Sequence, residues 1–278
     1  MAVSRAAGAW PRQTLARPVA LHGNAVRTHG GQVELRLTPG DAGLAFWRDD
    51  LSQRYPADLD HLASVPNATA LGRAGQPEVL FVEHVLSALV GLGYTDAEIH
   101  LDGPEVPLFD GSAAPIVEAL AEAGVDALPG AVEPLVLSEP LTIERDGRRI
   151  TAAPADEASF EYHLAHAHPL IGEQVATAGW PDYAARVAPA RTFATTEELA
   201  ALAAAGLIKG GSEANLLVIY PDRLSAPLHS TDEFALHKVL DLMGDLALLG
   251  RPVQAWIRAE RTGHSDNQAL ARALRATA

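Results

Sequence analysis

Three polar side chains with metal-binding chemistry recur along one apolar run near the carboxyl end of the sequence. His237, Asp241 and Asp245 are spaced four residues apart within residues 234–250. Side chains at that spacing lie above one another on one face of a helix. A histidine and a carboxylate one turn apart can bind the same divalent metal ion. A solvated polar face is the commoner origin of such a pattern, so this run alone leaves both interpretations open.

A second pair with related chemistry, Glu83-His84, lies far upstream in another apolar run, residues 78–93. Burying a carboxylate without a partner is costly, so the pair either faces solvent at the start of a helix or belongs to a site. In the second case His84 joins His237 and Asp241. Two histidines and one carboxylate with an open fourth position form a catalytic zinc site, and the same set suits Fe2+. Glu83, beside a ligand, is then placed to take a proton from a water activated by the metal.

His264 is the third candidate. It follows Gly263 in what the sequence predicts to be a loop after a strand. A catalytic acid needs a pKa near neutrality or above, and a nearby carboxylate such as Asp245 favours the protonated form. An ordinary loop histidine is the commoner case, so this assignment depends on whether the fold brings His264 to the other candidates.

The composition limits the classes of protein to which the chain can belong. Its 278 residues suffice for one large domain or two of ordinary size, and 48% of them are hydrophobic, enough to bury a core. The net charge of −14 and the lack of a Lys/Arg cluster argue against nucleic-acid binding. An anionic substrate can still bind in a locally positive cleft. Because there is no cysteine, any metal must be held by His, Asp, Glu or water.

Neither a secretory signal nor a membrane span is predicted. Residues 1–23 lack the continuous apolar core of a signal peptide, and no stretch reaches the ~18–20 apolar residues that cross a bilayer. We therefore expect a cytoplasmic protein. The sequence does not determine the oligomeric state, and a monomer is the working expectation.

Each half of the chain begins with strands and carries a long apolar helix later. Alternating apolar and polar residues predict strands, and apolar residues at helical spacing predict helices. The predicted strands are residues 17–22, 32–38, 44–48, 97–101, 135–138, 141–145, 149–153, 160–164, 186–193, 216–220 and 253–258. The predicted helices are residues 80–93, 113–123, 197–205, 234–250 and the later part of 263–274.

Residues 128–134 (LPGAVEP) have the composition of a linker, with two prolines and a glycine. We therefore predict an amino-terminal domain over residues 1–128, a linker over residues 129–134 and a carboxyl-terminal domain over residues 135–278. The predicted fold class is α+β: two similar α/β domains, each a sheet with packed helices, and the helices sandwiched between the two outer sheets.

Six sequence motifs together resemble one known family. They are residues 82–89 (VEHVLSAL), 102–107 (DGPEVP) with 110–113 (DGSA), 190–193 (ARTF), 210–212 (GGS) with Asn215, 237–238 (HK) through 244–246 (GDL), and 263–264 (GH) with Asn267. No single motif decides the matter, but the six occur in the order found in the LpxC family and cover nearly the whole chain. Members of this family are UDP-3-O-acyl-N-acetylglucosamine deacetylases, which act early in lipid A biosynthesis.

The resemblance implies a role for each candidate residue. His84, His237 and Asp241 match the zinc ligands of the family. Glu83 matches its general base and His264 its general acid. The implied reaction is zinc-dependent hydrolysis of the N-acetyl group of an acylated UDP-amino-sugar, with release of acetate. The family fold, two α/β domains with helices between the outer sheets, agrees with the duplication predicted above.

Further residues match family positions that support the acid or contact the substrate. Asp245 matches the carboxylate that orients the acid, Thr192 a residue that stabilises the oxyanion, and Lys238 a residue that contacts substrate near the reacting centre. An apolar passage for the acyl chain is implied for residues 193–211. Its candidate lining residues are Phe193, Leu199, Leu202, Leu207, Ile208 and Gly211.

Some positions depart from the family pattern. Phe81 stands where the family has threonine, Leu236 where it has arginine, and Lys209 is atypical of the insert. These departures leave two alternatives open: deacetylation of another N-acetyl sugar, or a non-catalytic regulator that binds acylated sugar nucleotide. The intact acid–base pair argues against the regulator. The histidines of residues 163–168 also have metal-binding chemistry, but the resemblance gives them no such role.

Overall fold

The structure is a computed structural model and describes residues 8–277 of the chain. It is a mixed α/β fold. Its strands are β1 Trp10–Leu15, β2 Val19–Asn24, β3 Gln32–Thr38, β4 Leu44–Arg48, β5 Gln53–Pro56, β6 Leu62–Ala63, β7 Ala70–Arg73, β8 Gln76–Leu80, β9 Ala97–Leu101, β10 Val125–Val132, β11 Leu135–Val136, β12 Leu141–Arg145, β13 Arg148–Pro154, β14 Ser159–Ala165, β15 Glu173–Ala178, β16 Phe193–Thr195, β17 Leu217–Ile219 and β18 Val253–Glu260. Its helices are α1 Val82–Leu92, α2 Ala114–Ala123, α3 Thr196–Ala204, α4 Glu233–Ala247 and α5 His264–Ala276.

Two larger sheets, one in each half of the chain, have the same topology. The first has the strand order β2-β3-β9-β4-β5 and the second the order β12-β13-β18-β14-β15. Along each of these orders the third and fourth strands are parallel and the other neighbours are antiparallel, and in the second sheet β11 also pairs in parallel with β18. A helix precedes the middle strand and another follows it, α1 and α2 around β9, α4 and α5 around β18. The predicted α+β fold of two similar units is confirmed.

The sequence pattern explains why these strands form. In β3 the inward residues Val33, Leu35 and Leu37 are buried and alternate with partly exposed polar ones. Asp146 and Gly147 join β12 to β13, and both have positive φ, 52° and 72°. That backbone suits the two-residue hairpin turn predicted from the Asp-Gly pair.

Helices α1 and α4 pack directly against each other between the sheets. Both are buried along nearly their whole length, and α4 also packs on β14 and β15. Gly244 allows the close approach, since a Cβ there would lie 2.2 Å from the Glu83 carbonyl oxygen. This contact brings the first turn of α1 beside the middle of α4, and so brings the two candidate motifs together.

Three local predictions differ from the structure. The predicted linker, residues 129–134, overlaps β10, which pairs with β1, and the division of the chain at that point remains a prediction. Residues 186–193 were expected to be a strand, but a short π-helix, Tyr183–Val187, lies there and β16 begins at Phe193. His264 is the first residue of α5 rather than a loop residue. Within residues 8–277, no helix is both long and apolar enough to cross a membrane.

Candidate active site

His84, His237 and Asp241 meet where α1 crosses α4. One ligand atom from each lies within 4.8 Å of the others, and all three residues are buried. His84 lies in the first turn of α1, whereas His237 and Asp241 are one turn apart on α4. Because a carbonyl oxygen can only accept, Nδ1 of His237 donates to the Ala190 carbonyl oxygen at 3.0 Å. Nε2 then faces Asp241, 3.4 Å from its Oδ1.

The protonation states of His84, His237 and Asp241, the trio of candidate metal ligands, suit metal binding. Burial, together with the neighbouring His237, lowers the pKa of His84 to about 3. Burial also lowers the pKa of His237. Burial alone would raise the pKa of Asp241, but the charges of Lys238 and the nearby histidines lower it instead. Neutral imidazole and ionised carboxylate are the forms that bind a metal, so this donor set fits a divalent ion such as Zn2+.

Glu83 lies beside the trio with one carboxylate oxygen held. Its Oε2 accepts the backbone N–H of Thr69 at 3.1 Å, and its Oε1 lies 3.8 Å from His264 Nε2. The side chain is buried, and burial raises the pKa of Glu83 to about 7 against the opposing effect of His264. A carboxylate with a pKa near neutrality is suited to accept a proton as a general base.

His264 lies on the opposite side of the same space and is oriented by Asp245. Its Nδ1 is 2.9 Å from Asp245 Oδ2, so Nε2 points towards Glu83 and lies 4.0 Å from Asp241 Oδ2. Burial lowers the pKa of His264, but the charges of Asp245 and Asp241 outweigh it and raise the pKa to about 10. A protonated imidazole with its free N–H aimed at the centre can donate a proton.

Lys238 and Phe193 form one wall beside the trio. The Nζ of Lys238 donates to Asp241 Oδ2 at 2.9 Å and lies 5.6 Å from the centroid of the Phe193 ring. Burial disfavours the charged form, yet Asp241 raises the pKa of Lys238. The ammonium is therefore a fixed positive charge at the edge of the site.

These side chains open into one cleft of about 720 Å³ lined by both halves of the chain. Thr192 and Phe193 line it, and so do the apolar residues Leu199, Leu202, Leu207 and Ile208. The structure therefore places nearly all the predicted substrate contacts on one surface. Gly211 is the exception: it is not among the lining residues and lies against the Ile208 side chain.

Phe81, one of the departures from the family pattern, also lines the cleft. It precedes α1 with a φ of +60°, a left-handed conformation that is uncommon for a bulky residue. The guanidinium of Arg27 lies 4.9 Å from the centroid of its ring and donates to the Pro66 carbonyl oxygen. Sequence reasoning gave Arg27 no role, because its position depends on a loop between β2 and β3.

Sequence reasoning also missed the residues that hold Asp245. Asn267 Nδ2 donates to Asp245 Oδ2 at 2.8 Å, and the Thr69 hydroxyl donates to Oδ1. Asn267 was visible as part of a motif but without a role. Thr69 carried no signal, since it lies in a stretch with weak secondary-structure and family patterns.

The histidines of residues 163–168 do not form a second metal site. Among the described residues, His84, His237 and Asp241 are the one group of three that could hold an ion. His163 pairs with Glu161 at 2.5 Å, and His166 lies 3.7 Å from Glu198. Both histidines thus have carboxylate neighbours on the surface.

Known proteins resemble this chain over nearly its whole length. The family model described as "LpxC: UDP-3-O-acyl N-acetylglycosamine deacetylase" matches residues 12–276. The chain belongs to the LpxC family. Family membership makes it an N-deacetylase, a hydrolase, and the predicted resemblance is confirmed.

Several members of the family are similar over nearly the whole chain. A UDP-3-O-acyl-N-acetylglucosamine deacetylase of Anaeromyxobacter dehalogenans is 40% identical, over 94% of this chain and 86% of its own length. A protein of the same name from Nostoc sp. is 37% identical, over 95% of this chain and 98% of its own. One from Leptospira biflexa is 35% identical, over 95% and 89%. The chain therefore spans most of the length of these relatives.

Proposed function

We propose that the protein hydrolyses the N-acetyl group of UDP-3-O-acyl-N-acetylglucosamine with a bound zinc ion and releases acetate. The same proposal places the reaction in the cytoplasm, early in lipid A biosynthesis. The observation that carries it is the constellation around the trio: a base and a protonated acid, Glu83 and His264, face each other across 3.8 Å beside three ligand-type side chains. Relatives that carry this deacetylase name support the substrate.

Each side chain has a defined task in this reaction. His84, His237 and Asp241 hold the metal, which when bound supplies Lewis acidity towards water and the acetamide carbonyl. Glu83 takes a proton from the attacking water through Oε1, because Thr69 occupies Oε2. The hydroxyl of Thr192, a residue that lines the cleft, stabilises negative charge that develops on the carbonyl oxygen.

Collapse of the tetrahedral intermediate requires a proton for the departing amine. His264 supplies it from Nε2, while its Nδ1–H stays hydrogen-bonded to Asp245, which holds the ring in the orientation that directs Nε2 at the reacting centre. Lys238 supplies a fixed positive charge near the reacting centre. The acyl chain of the substrate lies against the apolar residues that line the cleft, Phe193, Leu199, Leu202 and Leu207.

The test is acetate release from UDP-3-O-acyl-N-acetylglucosamine by the purified protein. Turnover should disappear with a chelator and return with about one equivalent of zinc. Iron(II) added instead of zinc tests the other metal that suits this donor set. Failure of turnover with one tightly bound metal per chain would overturn the substrate assignment.

Two variants separate metal binding from proton transfer. Glu83→Gln and His264→Ala should each retain the metal and lose turnover by about 10²- to 10⁴-fold, the usual contribution of a positioned acid or base. Metal content is measured by elemental analysis in parallel with the rates. A His264→Ala variant with a near-normal rate would show that the acid assignment is wrong.

A further inference from the structure

One buried threonine contacts both the base and the carboxylate that orients the acid. Thr69 has no exposed surface, and its backbone N–H donates to Glu83 Oε2 at 3.1 Å. Its hydroxyl donates a hydrogen bond to Asp245 Oδ1, across a sequence separation of 176 residues. Thr69 lies just before β7, in the half of the chain that contributes Glu83, whereas Asp245 belongs to α4 of the other half.

The direction of the hydroxyl hydrogen bond follows from its neighbours. A threonine hydroxyl has one proton to donate and two lone pairs. Gln268 Nε2 donates to the Thr69 oxygen at 3.0 Å, which uses one lone pair and leaves the proton for Asp245. Oδ2 of Asp245 already accepts from His264 Nδ1 and Asn267 Nδ2. The Thr69 hydroxyl thus occupies the remaining oxygen and fixes the rotation of this carboxylate.

The orientation of Asp245 determines where His264 points. With Asp245 fixed, Nδ1 of His264 is held at 2.9 Å from Oδ2, and Nε2 is directed at the space beside Glu83. The Thr69 oxygen also lies 3.3 Å from His264 Nδ1, which limits tilting of the ring. The other end of the same residue holds Glu83. A single residue therefore constrains the relative positions of a base on one half of the chain and an acid on the other.

We infer that Thr69 is a positioning residue that sets the separation and aim of the general base and the general acid. It does not touch the reacting atoms and acts through Glu83 and Asp245. The inference rests on the proposed acid–base roles of Glu83 and His264. Loss of the hydroxyl frees Asp245 to rotate, and small displacements of a proton donor reduce turnover more than substrate binding.

The test compares three variants. Thr69→Val keeps the shape of the side chain and the backbone N–H but removes the hydroxyl, whereas Thr69→Ser keeps the hydroxyl. Thr14→Val is the matched control, because Thr14 is buried and its hydroxyl accepts a hydrogen bond from Gly40 N–H at 2.9 Å, outside the cleft.

The expected kinetic result is specific to the hydroxyl at position 69. Thr69→Val should lower kcat by about 10- to 100-fold with KM changed less than about twofold, the pattern of a misplaced catalytic group. Thr69→Ser should stay within about threefold of the unmodified protein, and Thr14→Val should match it. A normal kcat in Thr69→Val, or an equal loss in Thr69→Ser, would overturn the inference.

A second readout does not depend on turnover. In zinc-loaded protein labelled with ¹⁵N-histidine, the Nδ1 proton resonance of His264 reports its hydrogen bond to Asp245. It should move in Thr69→Val, return in Thr69→Ser and stay in place in Thr14→Val. If it does not move in Thr69→Val, the positioning role is wrong whatever the activity. If it moves while the unmodified protein releases no acetate, the proposed function fails and the positioning role stands.

Discussion

His264 carries its positive charge where helix geometry disfavours one. It is the first residue of α5, and the N-terminus of a helix favours anions over cations. The carboxylates of Asp245, Asp241 and Glu83 outweigh both this effect and burial, so the ring stays protonated. This balance suits a general acid. The carboxylates keep the proton on His264 before the reaction, whereas burial and the helix N-terminus favour its release during the reaction.

The pKa values of the pair predict a bell-shaped dependence of kcat/KM on pH. In the proposed mechanism Glu83 acts deprotonated, and its pKa is raised to about 7, so the rate should rise with pH through that value. In the same mechanism His264 acts protonated, and its pKa is raised to about 10, so the rate should fall as pH rises through that value. A cation bound by His84, His237 and Asp241 lowers both pKa values, which moves both limbs to lower pH.

Asp245→Asn tests the assignment of the alkaline limb. The charge of Asp245 raises the pKa of His264, so a neutral amide should lower it and move the alkaline limb down by about one pH unit or more. The pH profile of acetate release measures this shift. Asp222→Asn, at an exposed position, is the control. An alkaline limb that stays in place in Asp245→Asn would assign it to another group.

At the scale of elements, the crossing of α1 and α4 sets the geometry of the site. Gly244 is followed by Asp245 and faces the backbone of Glu83. Helices that pack this closely need a glycine at the contact. A Cβ there would meet the backbone of the other helix, which cannot move aside as the end of a flexible side chain can. The two helices carry all three metal-ligand candidates, so their separation is also the separation of the ligands.

Gly244→Ala should therefore reduce both stability and activity. Its Cβ would lie 2.2 Å from the Glu83 carbonyl oxygen, which forces the helices apart. We expect a loss of about 1–3 kcal/mol in the free energy of unfolding from overpacking. Displacement of Glu83 and His84 should also lower kcat by about 10- to 100-fold. Denaturant unfolding and acetate release measure the two effects.

Gly250→Ala separates these two effects. Gly250 has a φ of +68° and open space around its Cα, so alanine there costs about 1 kcal/mol of backbone strain without a clash. It should destabilise the protein and leave kcat unchanged. If Gly244→Ala were destabilised but kept a normal kcat, the close contact would matter for folding alone.

Much of the architecture could be predicted from local patterns. The alternation in β3, the Asp-Gly hairpin and the apolar runs of α1 and α4 are all properties of neighbouring residues, and each gives the correct element. The first turn of α1 and the middle of α4 could be paired because their side chains share metal-binding chemistry. The topology shared by the two sheets explains why the halves repeat the same order of elements.

What the sequence did not reveal depends on long-range contacts. Thr69 acquires its role from Asp245, 176 residues away, and nothing in the residues around it indicates this. The segment predicted as a linker joins a strand because β1 lies alongside, and a Pro- and Gly-containing run gives no sign of that partner. His264 was assigned to a loop because Gly263 suggested a break, whereas it begins α5.

At the scale of the whole molecule, the protein and its proposed substrate both carry negative charge. The chain has a net charge of −14, and a UDP-sugar is an anion, so the average field of the protein repels the proposed substrate. The cleft has a different charge balance: four cationic side chains line it, Arg27, Arg148, Lys238 and Arg261, beside three carboxylates, Glu83, Glu198 and Asp241. Lys238 pairs with Asp241, and Arg148 pairs with Asp146 and Asp266, which leaves Arg27 and Arg261 as the main source of local positive charge.

Substrate binding should therefore be sensitive to salt, and Arg261 should carry part of that sensitivity. Arg261 lies three residues before His264 and lines the cleft. Salt screens exposed charges over about 10 Å at 0.1 M, so KM should rise with ionic strength while kcat changes little. Arg261→Gln should have a higher KM at low salt and a weaker dependence of KM on salt.

Arg223→Gln, exposed and outside the cleft, should behave like the unmodified protein. Equal salt dependence in Arg261→Gln and the unmodified protein would assign the attraction to the other cationic side chains of the cleft.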